Sequence, residues 1–296
     1  MKMRIRQYFL VCFMAMSALS FGQDMADVTI KTIPVNGPVY MLEGRGGNIG
    51  VSIGADGVFV IDDQFAPLSE KILAAIKALS DAPLQYVANT HYHGDHSGGN
   101  ANMQRAGATI VAHKNVRKRL EQPDRNGNDR PQEALPVITY KTQMSIYING
   151  EEVVILHVGN AHTDGDSLLY FTQSNVLHTG DTFFNGRYPY IDLNSGGSVE
   201  GYLAAVKRGM MLVDEDTKII PGHGPLATRA DYMAFMKMLE GLKENSLRAI
   251  NAGMSFEEFV ADESITAEYD AQGFGSGFIN PQRMRETLYK SLKKQP

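Results

Sequence analysis

Seven residues constrain this chain more than any other stretch: Thr90-His91-Tyr92-His93-Gly94-Asp95-His96. They follow an apolar run, Leu84–Ala88, that reads as a buried strand, and they precede Ser97-Gly98-Gly99-Asn100, a turn that opens a helix. Three imidazoles and a carboxylate packed this closely are costly as ordinary structure, because the rings repel when protonated and waste polar groups when buried. A bound cation removes both costs. His91 and His93 alternate by two, so both rings can leave an extended strand end on one side. Asp95 and His96 sit on the turn and can face a second centre. Imidazole and carboxylate are suitable zinc ligands.

Composition narrows the donors further. The chain of 296 residues holds one cysteine, Cys12, so intrachain disulfides, thiolate zinc ribbons and cysteine-pair redox centres are excluded. Any metal must be held by His, Asp and Glu, which makes the eight histidines the residues to follow. A net charge of −5 lacks the basic footprint of a nucleic-acid binder. Lys2, Arg4 and Arg6 precede an apolar run from Tyr8 to Leu19, followed by Ser20 and Gly22. That is the pattern of a secretory signal peptide over residues 1–22, and the run is shorter than the roughly 20 residues of a membrane span. The expected product is periplasmic or secreted, free of the membrane after signal removal, and without a thiol.

Along the rest of the chain, short strands are expected at Val28–Pro34, Val39–Glu43, Asn48–Ile53, Val58–Ile61, Thr109–Ala112, Met144–Ile148, Val153–His157, Leu168–Phe171, Val176–His178 and Lys218–Ile220. Helical spacing marks Leu68 to Leu79, Asn100–Ala106, Asn115–Gln122 and Val199–Leu212, and everything beyond residue 229. Strand-rich and helix-bearing stretches in both halves predict an α+β layered fold. We expect one domain over residues 23–228 with a helical extension, 229–296, packed on it.

Three later residues fit the same site. His162 lies in Gly159-Asn160-Ala161-His162-Thr163-Asp164-Gly165-Asp166, Asp181 in His178-Thr179-Gly180-Asp181-Thr182, and His223 in Pro221-Gly222-His223-Gly224-Pro225. Each follows a predicted strand, and the flanking glycines permit the tight turns that present a side chain at a sheet rim. His-x-His-x-Asp-His, with a His 66 residues on, an Asp after 19 more and a His after 42 more, resembles the metallo-β-lactamase-fold superfamily across about residues 30–228. The resemblance implies a four-layer αββα sandwich with two metals at one edge. It places His91, His93 and His162 on one metal, Asp95, His96 and His223 on the other, and Asp181 between them. The implied cofactors are two Zn2+, with iron or manganese as alternative ions for these donors. The implied chemistry is attack by a metal-bridging hydroxide on the acyl bond of a small-molecule substrate, with Asp95 orienting it.

The subclass-one periplasmic lactamases of that superfamily carry Cys where Asp181 stands here, which lowers the expectation for β-lactams. Glyoxalase II enzymes share the Asp but usually read His-Thr-x-Gly-His, where this chain ends in Asp166. A β-lactam, a lactone and a thioester are therefore all candidate substrates. Phe184, Asn185 and Tyr188 follow Asp181 on a glycine-containing loop and are the candidate substrate contacts. His178 is a candidate support for Asp181, while His113 and His157 are expected to be structural, as are turn-fixing Asp164 and Asp166. The alternatives are an iron-dependent oxidoreductase on the same fold and a secreted metal-retaining binding protein without turnover. The oligomeric state is left open.

Overall fold

The computed structural model describes residues 25–124 and 127–293. The expected signal peptide, with Cys12, lies outside them. Thirteen strands among the described residues form two sheets. The first contains β1 (Lys31–Asn36), β2 (Val39–Glu43), β3 (Ile49–Gly54), β4 (Gly57–Ile61), β5 (Leu84–Asn89), β6 (Thr109–His113) and β7 (Ile138–Tyr140), in that spatial order. The second runs β8 (Gln143–Ile148), β9 (Glu151–His157), β10 (Ser167–Phe171), β11 (Val176–His178), β12 (Lys218–Ile220) and β13 (Ala227–Thr228). Both sheets are mixed. β1 to β4 pair antiparallel and β4 to β7 parallel, while in the second sheet only β11 and β12 are parallel.

Side-chain alternation divides each strand between two cores. In β4, Phe59 and Ile61 face the second sheet with Met41, Val111, Ile155, Phe171 and Ile220. Val58 and Val60 face the other way, onto Leu68 and onto Ile72 and Ile76 of helix α1 (Ser69–Leu79). The second sheet's outer face, with Leu168, Leu177 and Ile219, packs on α-helices further along the chain. The result is helix, sheet, sheet, helix: the four-layer α+β sandwich expected from the sequence. The predicted strands are present, three of them with the predicted ends and the rest shifted, and two short ones, β7 and β13, escaped prediction because two or three residues carry no readable period.

The helices α2 (Gly94–Ser97), α3 (Asn100–Arg105) and α4 (Lys114–Leu120) flank the histidine cluster. After α5 (Val199–Met210) comes α6 (Arg229–Asn251), whose start is fixed by a capping box between Thr228 and Asp231. Then follow α7 (Phe256–Ala261), α8 (Ala267–Ala271) and α9 (Pro281–Leu292). Phe235 and Leu239 of α6 and Leu288 of α9 share one core with Phe183, Tyr202 and Val206, so no gap in packing separates residues before and after 228. Leu239 is fully buried there. Leu239→Ala should therefore cost about 2–5 kcal/mol, seen in urea unfolding as an earlier but still single transition. A separate transition for the helices would instead mark an independently folding extension.

Candidate metal centre

Four strand ends converge on one edge of the sandwich. His91 and His93 follow β5, His162 follows β9, Asp181 follows β11 and His223 follows β12. Backbone bonds between loops of the two sheets hold this edge: Ser167 N–H donates to Thr90 O (3.0 Å) and Asn48 N–H to Gly222 O (2.8 Å). Asn48 also donates through Nδ2 to the carbonyls of Pro221 and Gly224, fixing the turn that carries His223. Gly180 stands at φ +49°, and a Cβ there would lie 2.5 Å from Thr90 Oγ1. Only glycine brings the Asp181 turn this close to the β5 end.

The structure gathers all seven expected donors into two neighbouring groups. His91, His93, His162 and Asp181 form one, and Asp95, His96 and His223 the other, each with its ligand atoms within 4.8 Å of one another. Their tautomers follow from their outer partners. His162 Nδ1–H donates to Tyr190 O (2.7 Å) and His93 Nε2–H to Asp192 Oδ2 (3.1 Å). Thr90 Oγ1 donates to Asp62 Oδ2 and so accepts from His91 Nδ1–H (3.1 Å). All three rings thus turn an unprotonated nitrogen inward. His93 Nδ1 lies 3.1 Å from His91 Nε2 and 2.8 Å from His162 Nε2. Three lone pairs at this separation repel unless a cation lies among them, so the donor set fits a metal.

Asp181 supplies the second test of fit. Its Oδ1 is buried and makes no hydrogen bond, although His96 Nε2 is 3.0 Å away. It is an orphaned anion in a pocket of imidazoles. His96 itself donates through Nδ1 to Asp62 Oδ2 (2.7 Å), leaving Nε2 directed inward. Asp62 therefore steers two of the ligand histidines, one directly and one through Thr90. It does so from a left-handed backbone, φ +64°, that a non-glycine residue holds only under constraint. These residues form a His/Asp metal-binding site.

A family model described as the metallo-beta-lactamase superfamily matches residues 42–223. The chain belongs to the metallo-beta-lactamase superfamily. Among curated relatives of this superfamily member, the alpha subunit of a 2,4-dinitroanisole O-demethylase from Nocardioides sp. is 24% identical, over 84% of this chain and 74% of its own. A hydroxyacylglutathione hydrolase from Pelagibacter ubique is 29% identical over 50% of this chain and 56% of its own length. Among solved structures, a metallo-beta-lactamase from Pontibacter korlensis superposes with a TM-score of 0.62 at 18% identity, over 72% of this chain and 99% of its own. An inverting sec-alkylsulfatase from Pseudomonas sp. superposes at 0.67 and 16%, over 88% of this chain and 50% of its own.

The remaining expected residues divide. Phe184 stacks on His223, ring centres 4.9 Å apart, and so borders the site. Asn185 donates from its side chain to Pro225 O and from its backbone to His223 O, bracing the His223 turn. Tyr188 departs from expectation: its ring is buried and its hydroxyl donates to Asp270 Oδ1 (2.7 Å), so it packs into the C-terminal helices and offers no surface to a substrate. His178 accepts from Gly180 N–H at Nδ1 and bonds Asn48 O through Nε2, bracing both turns without touching a ligand ring. Asp166 holds Thr163, as expected, but Asp164 is taken by Arg119 at 2.7 and 2.9 Å rather than by a turn. His113 caps α4, and its ring stacks on His157 at 3.7 Å. A cleft of about 360 Å³ beside His157 and Arg208 includes none of the seven donors.

Asp62, Asp192 and Tyr190 each orient a ligand ring and escaped the sequence. Asp62 had a visible signal, an acidic pair ending a wholly apolar strand. Asp192 had none: it lies 99 residues from His93, and it also caps its own turn. Losing such a partner frees the ring it orients. Asp192→Asn should weaken metal binding about 10–100-fold, measured by chelator competition, with little change in the folded fraction.

Electrostatics in the metal-free protein set a pH profile. Burial lowers His91, and it lowers His162 and His178 to about 4. Burial opposes protonation of His96 and His223 too, but Asp181 and Asp95 outweigh it, raising His96 and bringing His223 to about 9. The depressed histidines bind protons more readily unfolded, so they subtract stability as pH falls from 6.5 towards 4. The raised ones give stability that is full below 6.5 and lost as pH climbs through about 9. Metal-free protein should show its highest thermal midpoint near neutral pH, falling on both sides. Metal, which replaces the protons on the raised pair, should flatten the alkaline side.

Proposed function

We propose that the protein is a di-zinc hydrolase of acyl bonds, exported to the periplasm or beyond, with a thioester, lactone or cyclic amide as substrate. One observation carries the two-metal reading. Asp181 turns Oδ1 to His96 Nε2 (3.0 Å) and His223 Nε2 (3.4 Å), and Oδ2 to His162 Nε2 (3.5 Å) and His91 Nε2 (3.8 Å). One carboxylate thus offers a separate oxygen to each donor group. The hydroxyacylglutathione hydrolase relatives, named for cleaving a thioester, favour the acyl-bond reading, and the lysine- and arginine-led apolar start of the sequence favours export.

Zinc bound at both groups would supply an activated water at neutral pH and polarise the bond under attack. The chain's own residues orient that event. His91, His93 and His162 are held by Thr90, Asp192 and the Tyr190 carbonyl, so their geometry is set before substrate arrives. Asp95 and His223 are the most exposed of the seven donors, with side chains 27% and 19% accessible, so substrate approaches over them. Burial raises Asp95, but His96 and His223 outweigh it and hold the carboxyl at about 2. From the rim of the site, next to His96 and His223, its carboxylate can accept a hydrogen bond from the attacking water.

Zinc-loaded protein should carry two metals per chain and turn over at least one member of a thioester, lactone and β-lactam panel. Asp95→Asn should lower kcat/KM by about 10²–10⁴-fold, with metal content followed in parallel. A redox-active iron centre in the native protein, with no member of the panel hydrolysed, would overturn the proposal.

A further inference from the structure

The residues after α8 pack along the loop that borders the metal centre. Tyr188 N–H donates to Phe274 O (2.9 Å), and the two rings stack at 6.0 Å. Gly277 lies against the Arg187 side chain, so that a Cβ there would be 3.2 Å from Arg187 Cδ. The segment from 273 to 278 is thereby fastened along the 184–190 loop, the loop that carries Phe184 onto His223. Just beyond this contact stands Phe278, 70% exposed.

Phe278 is exposed but not loose. The Arg283 guanidinium sits over its ring at 4.5 Å and donates to its carbonyl (3.0 Å). Tyr190 meets it edge to face, 5.9 Å between centres. Tyr190 in turn lies 5.6 Å from the His162 ring and 6.0 Å from that of His93, and its carbonyl orients His162. Val137, Tyr147 and Met211 are also exposed apolar side chains, but among the described residues only Phe278 joins the ligand rings through an aromatic neighbour. A ring held by a cation and an edge contact, left open to water and one aromatic neighbour away from the ligand rings, is arranged to receive another apolar group.

We propose that Phe278 and Tyr190 form one wall of a substrate subsite, and that it takes an aromatic ring on the acyl side of the bond that is cleaved. The assignment rests on the hydrolase reading for its acyl chemistry. Arg283 covers part of the Phe278 ring and fixes its orientation, leaving exposed surface for offset or edge stacking with the incoming ring. Tyr190 orients His162 through its carbonyl, but Phe278 comes from the C-terminal residues and touches no metal donor, so the Phe278 side of the wall can be changed by mutation apart from metal binding.

Two measurements on zinc-loaded full-length chain test this. The first is calorimetric titration with phenylacetate and with acetate, which needs no turnover. The second compares kcat/KM for the S-phenylacetyl and S-acetyl thioesters of one thiol. The unmodified chain should prefer the aromatic probe in both. Phe278→Ala should reduce each preference about three- to tenfold, and Phe278→Tyr should retain it, at unchanged metal content and thermal midpoint. A Phe278→Ala chain that keeps the full calorimetric preference, or an unmodified chain that shows none, overturns the subsite. A calorimetric preference lost in Phe278→Ala, with neither thioester hydrolysed, supports the wall and counts against the hydrolase reading alone.

Discussion

The rest of the structure depends on inward-facing nitrogen lone pairs that cannot satisfy one another. Each of His91, His93 and His162 spends its single N–H on an outer acceptor, so what remains between them is negative density at 2.8 to 3.1 Å. Metal-free protein meets part of this deficit by protonating the other half of the site, where Asp181 and Asp95 make imidazolium favourable at His96 and His223. A cation meets it at both halves. The same carboxylates thus serve as ligands and as a reservoir of attraction for protons, and metal uptake must release protons wherever His96 and His223 are charged, which for His223 is below about pH 9.

Holding such a set requires a scaffold that does not relax. The two sheets meet through Phe59, Ile61, Val111, Ile155 and Phe171, a buried apolar interface, and cross-sheet bonds at Thr90 and Asn48 join the two sheets at the donor edge. Where the backbone would otherwise drift, strain is accepted: Asp62 and Gln64 both sit at positive φ, at +64° and +55°. Asp62 gives its carboxylate to Thr90 and His96, and Gln64 donates to Gly47 O (2.6 Å), so the strained turn is also the point from which the glycine loop before β3 is tied down.

How much of this was legible in the sequence depends on distance along the chain. The β5 end and its histidines were readable because strand, turn and donors lie within a dozen residues and no other fold use of that pattern is cheap. His162, Asp181 and His223 were readable only through a family resemblance, since nothing in one isolated turn says which others it meets. Asp192 and Tyr190 were not readable at all. Their role is to touch a ring 99 or 28 residues away, and neither residue type announces that contact. Tyr188 was misplaced for the same reason: two positions separate it from Tyr190, but one ring turns into the helices and the other towards the ligands, and only packing decides which.

That last pair shows where the fold leaves room for specialisation. The donors stand on strand ends braced by backbone bonds, so any change there is felt by the metal. The flank beside His162 is built differently, from the 184–190 loop and the segment from 273 to 278, joined by one backbone bond, stacked rings and the side chain of Arg187. Loops of this kind can change their exposed side chains without disturbing the core beneath. Two members of the superfamily can therefore share a donor set and differ in what they accept, which is why the metal site identifies the chemistry available and the aromatic wall bears on the substrate.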